Sequence, residues 1–278
     1  MRASIGNDKC EIFFGRGIIL EGLEADPVVY GGEFPGRSRE GRPPEIRHIA
    51  AEGYILSRGC SVEKRRHEIG SRCRALAAVT SPQESFFLKI GDRYADCTDG
   101  ELSFKRKAPF SGDEAEHFTL RAVIKGGFFH GSTITVPAER KASGFHFPIS
   151  FTDDSFAFGS YENKSYIQVN NRGDTSVGFT AELCPQTAIS SFRLENLKTG
   201  KYIACTYDFA AGDVIKISTL LDNLQFKAEA GGSEINLTGY ADTGSEFFTL
   251  SLGESRLVLE DGAAYTGSLS FRESYISF

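Results

Sequence analysis

Residue types that could support catalysis are present in this sequence, but their spacing matches no catalytic motif. The five histidines stand apart along the chain, at His48, His67, His117, His130 and His146. None belongs to an HExxH, GxSxG or HxH arrangement, the patterns that place a metal-binding or base-activated group beside its partners. Catalytic groups can also converge from distant positions, but the sequence identifies no such set. We therefore predict no catalytic residue and a protein that is not an enzyme.

Adjacent acidic residues occur in two predicted loops of the second half, at Asp153-Asp154 and Glu260-Asp261. Such pairs can bind calcium or act as the two carboxylates of a glycosidase. They more commonly decorate turns, and the sequence favours that interpretation. Gly15-Arg16-Gly17 precedes a predicted strand instead of a helix, so it lacks the context of a dinucleotide-binding loop. We predict neither a metal nor a cofactor.

Cysteine usage points to free thiols. The chain of 278 residues has six cysteines without any CxxC spacing, which does not resemble a disulfide framework or a zinc site: Cys10, Cys60, Cys73, Cys97, Cys184 and Cys205. We expect them to be buried.

The sequence contains no signal for export or membrane insertion. Its first residues, MRASIGNDKCEIFF, lack the apolar stretch of a signal peptide, and no segment approaches the roughly 20 apolar residues that span a bilayer. We expect synthesis in a cytoplasm and no membrane partner. The glycosylation sequons at Asn163 and Asn236 are then chance matches.

The charge balance argues against a protein that neutralises phosphates. The formal net charge is -6 and the sequence pI is about 5.5. Two basic segments could instead bind phosphate or nucleic acid. The loop 31–47 carries Arg37, Arg39, Arg42 and Arg47, but the interleaved glutamates favour a solvated or subunit-contacting loop over a phosphate site. The predicted helix carries Lys64, Arg65, Arg66 and Arg74, without the interleaved aromatics of a nucleic-acid element. We predict no specific nucleic-acid binding.

The elements that would position any site are mainly strands. The chain has 23 Phe and 10 Tyr but no Trp and one Met, a composition that favours pleated packing. Its length predicts two domains. In the first half we predict a helix capped by Ser61, with Ile69, Cys73 and Leu76 on its buried stripe. The other predicted elements are strands at Ile12–Phe14, Ile18–Leu20, Val28–Tyr30 and Ile46–Leu56, a hairpin with Gly91-Asp92 between Phe86–Ile90 and Arg93–Cys97, and a strand through Phe118 and Ile124.

A domain boundary is predicted within Lys125–Ala142, where glycines, Pro137 and charges mix. Beyond it, alternation predicts an antiparallel sandwich. Its predicted strands are Phe145–Phe151, Phe156–Phe158, Phe192–Leu194, Tyr202–Cys205, Val214–Ile217, Phe247–Leu252, Arg256–Leu259 and Leu269–Tyr275. The predicted turns are Lys198-Thr199-Gly200, Gly212-Asp213, Gly231-Gly232, Gly253-Glu254-Ser255 and Asp261-Gly262.

Arg172-Gly173-Asp174, a tripeptide that can act as an adhesion signal, lies inside the segment Tyr166–Leu183. Apolar residues alternate on both sides of it, and Asn170, Asn171, Gly173 and Asp174 suit a bend. We predict that the tripeptide is the turn of a β-hairpin, although recognition by a receptor is the other interpretation.

Several segments resemble, in order, the C-terminal half of the distal tail proteins (Dit) of tailed bacteriophages and prophages. They are NNRGDTSVGFTAEL, ISSFRLENLKTGKYIAC, DFAAGDVIKIST, SEFFTLSLGESRLVL and GSLSFRESYI. In the first half IRHIAAEGYI and FTLRAVIKGGFF resemble the family more loosely. Ser218 stands where the family usually has an acid, and Ser255 where it usually has an Asn.

The resemblance implies a mainly β fold in two domains. Residues 1–135 would form a belt domain, a split β-barrel with one helix, and residues 136–278 a galectin-like antiparallel sandwich. Six belt domains would close a ring that joins the tail tube to the tail-associated lysin or hub protein, with receptor-binding proteins or side fibres on the sandwiches. DNA would pass through the ring without specific binding. The protein would be a structural part of the virion, at the tail tip or baseplate, made in the bacterial host cytoplasm.

An alternative function is a carbohydrate-binding module that recognises cell-wall polysaccharide on exposed aromatic side chains. The chain has no Trp for this purpose. Tyrosines could substitute, at Tyr161, Tyr166, Tyr207, Tyr240 or Tyr265.

Overall fold

A computed structural model describes residues 2–15, 17–26, 47–57, 59–107, 115–138, 166–259 and 263–277. The chain divides into two compact units: unit 1 contains Met1–Ser132 and Ser274–Phe278, and unit 2 contains Thr133–Glu273. Strands dominate both, which confirms the prediction of a mainly β fold. In the described part of the chain, no helix is both long enough and apolar enough to cross a lipid bilayer.

Unit 1 is a curved antiparallel sheet with one α-helix. Its elements are β1 (Ala3–Gly6), β2 (Glu11–Phe13), β3 (Ile18–Ala25), β4 (His48–Leu56), α1 (Val62–Val79), β5 (Phe86–Ile90), β6 (Arg93–Lys107), β7 (Ala115–Ile124) and the start of β8 (Phe129–Pro137). The strand order β2-β1-β5-β6-β7-β4-β3 places two strands that are consecutive in sequence at opposite ends of the sheet. Only 14–17 link them, so the two ends lie within about 18 Å, since a residue spans at most about 3.6 Å. The sheet therefore bends back towards itself.

The helix forms as the sequence predicts. The Ser61 side chain accepts a hydrogen bond from the Lys64 backbone N–H, and Ile69 and Leu76 are buried in the core of unit 1. Cys73 is half-buried on the same stripe. The following hairpin is also confirmed, because Ile90 pairs with Arg93 around Gly91-Asp92 and Gly91 has a φ of 65°.

Unit 2 is a two-sheet sandwich. Its strands are the end of β8, β9 (Tyr166–Asn171), β10 (Phe179–Pro185), β11 (Ile189–Asn196), β12 (Lys201–Phe209), β13 (Val214–Leu220), β14 (Asn223–Ala230), β15 (Ser233–Asn236), β16 (Gly253–Leu259) and β17 (Tyr265–Tyr275). One sheet has the order β15-β14-β13-β10-β17-β8 and the other β12-β11-β16-β9. Apolar side chains from both sheets meet in one core, among them Phe179 and Leu183 from the first and Phe192 and Leu257 from the second.

The predicted hairpin around Arg172-Gly173-Asp174 is wrong. β9 pairs with β16 in the four-stranded sheet, whereas β10 pairs with β13 and β17 in the other. Residues 172–178 therefore cross from one sheet to the other. Period-two alternation identifies each strand correctly, but it does not say which partner a strand pairs with.

The predicted strand Phe247–Leu252 is also wrong. Phe248 and Leu250 are buried and Phe247 and Leu252 are exposed, but the segment makes only an isolated bridge between Leu250 and Val177. Nor is Gly253-Glu254-Ser255 a turn after a strand, because Gly253 begins β16. Burial alternates along this segment as in a strand, although the segment forms no ladder of backbone hydrogen bonds. This alternation led to both wrong predictions.

Other sequence predictions differ in detail. β1, β14 and β15 were not predicted, and β8 occupies much of the segment Lys125–Ala142, where a domain boundary but no strand was predicted. The turns at Lys198-Thr199-Gly200, Gly212-Asp213 and Gly231-Gly232 join strands as expected. The predicted strands Val28–Tyr30, Phe145–Phe151 and Phe156–Phe158 and the turn Asp261-Gly262 lie outside the described residues.

Candidate interaction surfaces

The structure does not bring the histidines into a catalytic arrangement within its described part. His48 Nδ1 lies 3.1 Å from Asp26 Oδ2, and His117 Nε2 lies 3.8 Å from Glu52 Oε2. His130 Nδ1 is 3.3 Å from the hydroxyl of Ser274, but that serine is only 7% exposed, so its oxygen does not face a substrate. His67 is exposed on α1, and His146 lies outside the described residues.

The acidic pairs Asp153-Asp154 and Glu260-Asp261 lie outside the described residues. Where the structure describes the chain, no group of three or more His, Cys, Asp or Glu side chains is arranged to hold a metal ion. Gly17 leads directly into β3, as expected for Gly15-Arg16-Gly17. The sequon residue Asn236 is exposed in β15, and Asn163 is not described.

All six cysteines are free, but the expectation that they are buried is wrong for Cys10 and Cys60, which are exposed. Burial raises the pKa of the Cys97 and Cys205 thiols to about 12, with smaller contributions from Asp96 and Asp242. Burial also raises the pKa of Cys73. A raised pKa keeps a thiol protonated at neutral pH, so Cys97 and Cys205 are unsuited to nucleophilic chemistry.

We expect a thiol-reactive reagent such as Ellman's reagent to modify Cys10 and Cys60 first in the native protein at pH 8. Cys97 and Cys205 should react only after unfolding, because at a pKa of about 12 roughly one molecule in ten thousand is a thiolate at this pH. The double variant Cys10→Ser/Cys60→Ser should lose the fast phase. Fast labelling of Cys97 or Cys205, located by mass spectrometry, would contradict the described burial.

Two of the basic side chains of unit 1, Arg47 and Arg65, form hydrogen bonds within the fold. Arg47, expected in a solvated loop, is buried instead: its Nε donates to the Asp26 carbonyl (2.6 Å), its Nη1 to the Gly127 carbonyl (3.1 Å), and its guanidinium lies over the Phe129 ring. Arg37, Arg39 and Arg42 lie outside the described residues. On α1, Arg65 donates to the Gly59 carbonyl, while Lys64, Arg66 and Arg74 are exposed.

The adhesion-like tripeptide is held by its neighbour Asn171. This side chain is 2% exposed; its Nδ2 donates to the carbonyls of Thr175 (2.8 Å) and Leu250 (3.1 Å), and its Oδ1 accepts from the Gly173 N–H (3.0 Å). The Arg172 N–H donates to Glu273 Oε1 at 2.9 Å. The Arg172 and Asp174 side chains are exposed. The segment is thus built as the crossing between the sheets.

The tyrosines considered for sugar binding are mostly covered. Tyr265 is buried, Tyr166 and Tyr207 are half-buried, and Tyr161 is not described. Tyr240 is exposed, and its ring meets that of Tyr207 edge-on at 5.2 Å. This pair does not offer the broad flat platform on which a polysaccharide would stack.

Unit 2 has an apolar end that the sequence reasoning missed. Exposed leucines lie on three neighbouring loops there, and we name this set the leucine end: Leu197, Leu220, Leu221, Leu224 and Leu252. Leu221, 76% exposed, lies at the tip of the β13–β14 hairpin. The missed signal is the short sequence LLDNL, in which the two-residue turn Leu221-Asp222 itself contains a leucine and has leucines on both sides.

Hydrogen bonds and close backbone contacts connect the loops of the leucine end. Lys198 Nζ donates to the Leu252 carbonyl at 2.6 Å, and Val177 bridges to Leu250. The next residue, Gly178, approaches the backbone of Thr219 so closely that a Cβ there would lie 2.7 Å from its carbonyl oxygen. These contacts place the segments that carry the exposed leucines at the same end of unit 2.

Residues 172–275 match the family model described as the C-terminal domain of the siphovirus-type tail component. This confirms the family resemblance found in the sequence. No curated protein sequence matches the chain.

Among solved structures, the chain is similar to the Dit protein of phage SPP1, described as a paradigm of the hub adsorption apparatus in phages that infect Gram-positive bacteria. The TM-score is 0.59, with 11% sequence identity and 98% of each chain covered, which indicates a shared fold. Chains of the phage P2 baseplate in its activated conformation, with calcium or strontium, give TM-scores of 0.45 and 0.44 at 13% identity, covering 98% of this chain and 97% of theirs.

Proposed function

We propose, because residues 172–275 match the family model of the siphovirus-type tail component, that the chain is the distal tail hub of a tailed phage or prophage. Six copies would form a ring between the tail tube and the tail tip or baseplate. The hub would contact the tube protein on one side and a tail-associated lysin or hub protein on the other. Receptor-binding proteins or side fibres would attach to unit 2.

The observation that carries this proposal is the combination of a family match in unit 2 with a fold similarity that extends over nearly the whole chain. The SPP1 protein with that fold is described as a hub. A hub works through its surfaces, and the buried polar side chains of Arg47 and Asn171 bond to backbone groups of the fold. We therefore propose a structural role without catalysis.

Unit 1 is suited to act as the belt domain, which we place at residues 1–135. Within the described residues β3 pairs only with β4, and β2 only with β1, so each has an unpaired edge. Unpaired edges invite uncontrolled association unless something covers them. A head-to-tail ring covers the same surface on every copy and stops growing when it closes.

Unit 2 is suited to bind other tail proteins, and we propose that residues 136–278 form a galectin-like sandwich. The leucine end offers it an apolar contact surface. All of the chain's excess of acidic over basic residues lies between Thr133 and Glu273. Unit 1 has nearly equal numbers of acidic and basic residues. The net charge of the whole chain therefore does not indicate the charge of a bore lined by unit 1.

Labelling of virions tests the position of the protein. Gold-conjugated antibodies against the purified chain should bind at the end of the tail distal to the head in electron micrographs. Antibodies adsorbed with the purified chain provide the control. Labelling along the whole tail or on the head, or absence of the chain from purified virions, would contradict the proposal.

A further inference from the structure

We propose that unit 2 binds a structural water molecule in its interior, between Asn196 of β11 and Ser255 of β16, beneath the leucine end. The inference does not depend on the proposed function, because it concerns hydrogen bonds inside unit 2. It assigns a ligand to polar side chains that the fold buries and that the hub role does not use.

Buried polar side-chain atoms without a hydrogen-bond partner collect at one end of unit 2. Five such atoms occur in the described part of the chain, and three of them belong to Asn196, Ser251 and Ser255. Asn196 is 0% exposed and Ser255 is 1% exposed. An unpaired polar group in a protein interior costs free energy, so nearly all such groups are paired, either within the protein or with ordered water. Their grouping therefore indicates a shared partner.

The strand register places the side chains of Asn196 and Ser255 near each other. Asn196 lies opposite Leu257 in the pairing of β11 with β16, and Ser255 is two positions before Leu257. Alternate residues of both strands are buried, so these three side chains face the space between the two sheets. Residues in such a diagonal relation are about 7–8 Å apart, and their Cβ atoms are somewhat closer. Asn196 Nδ2 and Ser255 Oγ are therefore neighbours, although no direct hydrogen bond joins them.

A water molecule matches both the separation and the chemistry of these two groups. Two hydrogen bonds of about 2.9 Å that meet at a water oxygen span up to about 5.8 Å. The amide Nδ2 of Asn196 can only donate, whereas the Ser255 hydroxyl can donate or accept. Neither group is charged, and the described residues contain no cluster of side chains that could hold a metal ion. The ligand that suits them is small, neutral and able both to accept and to donate, as water is.

The neighbouring turn fixes the orientation of the Asn196 amide. Asn196 Oδ1 accepts a hydrogen bond from the Lys198 backbone N–H at 3.0 Å, which leaves Nδ2 as the unpaired donor. Lys198 Nζ donates to the carbonyl of Leu252, the residue just before β16. Ser251, with the third unpaired atom, precedes Leu252. The water thus connects β11 with β16 beside the segments that carry Leu197 and Leu252 of the leucine end.

The direction of the stability change in Ser255→Ala distinguishes a hydrated site from a dry one. In a dry site, the replacement removes an unpaired polar group and lowers the equilibrium constant for unfolding. We expect the opposite, an increase of about fivefold or more in chemical denaturation, because the water and Asn196 lose a partner. The control Ser233→Ala removes an exposed hydroxyl of β15 and should change the constant by about twofold or less. A Ser255→Ala protein that is unchanged or more stable would overturn the inference.

A double-mutant cycle tests whether the two side chains share one water molecule. It compares Asn196→Ala, Ser255→Ala and the double variant. Either replacement alone removes a partner of the same water, so the effects on the unfolding constant should be coupled by about threefold or more. Independent effects of the two replacements would show that the side chains do not share a ligand and would overturn the inference.

A high-resolution crystal structure of the unmodified chain tests the site directly, whether or not the Asn196→Ala variant folds. It should show an ordered water within about 2.7–3.2 Å of both Asn196 Nδ2 and Ser255 Oγ. A protein acceptor bonded to Asn196 Nδ2, or carbon atoms that fill the space between the two side chains, would overturn the inference. Density that refines as a chloride ion would overturn the choice of water.

Discussion

Replacement of Gly53 by alanine is expected to destabilise unit 1 by about 3 kcal/mol, the upper end of the cost of overpacking. Gly53 lies in β4 opposite Leu20, next to the bulge between Leu20 and Gly22. A Cβ at this position would overlap the carbonyl oxygen of Ile19 and lie 2.9 Å from Phe118 Cε1. Neither the backbone oxygen nor the core ring can move without disturbing the sheet. Chemical denaturation, with hydrogen exchange to locate the effect in β3, β4 and β7, measures the change.

Gly70→Ala is the matched control for Gly53→Ala. Gly70 lies in α1, where a new Cβ would meet only the end of the Arg74 side chain, at 3.7 Å. Because alanine favours the helix, we expect this variant to gain about 0.5–1 kcal/mol. A Gly53→Ala protein as stable as the unmodified chain would contradict the described contact between β3 and β4.

Replacement of Asn171 by alanine is expected to destabilise unit 2 by about 2–4 kcal/mol. The side chain is buried and makes three hydrogen bonds, to the carbonyls of Thr175 and Leu250 and from the N–H of Gly173. Its loss would remove the partner of the half-buried Thr175 carbonyl and Gly173 N–H, and an unpaired buried polar group costs about 1–3 kcal/mol. The Leu250 carbonyl would keep the hydrogen bond from the Val177 N–H. The crossing between the sheets should loosen, and exchange of 172–178 should become faster.

Asn170→Ala tests whether the effect belongs to the buried side chain. Asn170 is the preceding residue of the same strand but is exposed, so its removal should change the free energy of unfolding by about 0.5 kcal/mol or less. Similar losses for the two variants would show that the strand, and not the bonds of Asn171, determines the stability of the crossing.

Local signals in the sequence account for the elements that were predicted correctly. The helix has a serine cap and an apolar stripe that can be read within 19 residues, and the β5–β6 hairpin has its own two-residue turn. The family resemblance also depends on such short segments, each a strand with its turn. Together, these short strand-and-turn segments predict the mainly β fold.

The pairing partners of the strands and the exposed end of unit 2 could be determined only from the structure. Tyr166–Leu183 has the pattern of a hairpin, but its two strands pair with residues more than 30 positions away in different sheets. Burial of Arg47 likewise depends on Gly127 and Phe129, which are distant in sequence. The glycine within HIAAEGYIL was a usable signal, because glycine inside a strand often marks a bulge or a close backbone approach. The sequence LLDNL did not by itself identify the leucine end, since apolar residues at strand ends are equally typical of a core.

Electron microscopy of the purified chain, alone and mixed with its tail tube protein, tests the hub proposal most directly. The proposal predicts annular particles with sixfold symmetry that cap the tube, with the unit 1 edges in the contacts between subunits. Monomers that neither form rings nor bind the tube, observed with folded protein at concentrations where the tube assembles, would contradict it.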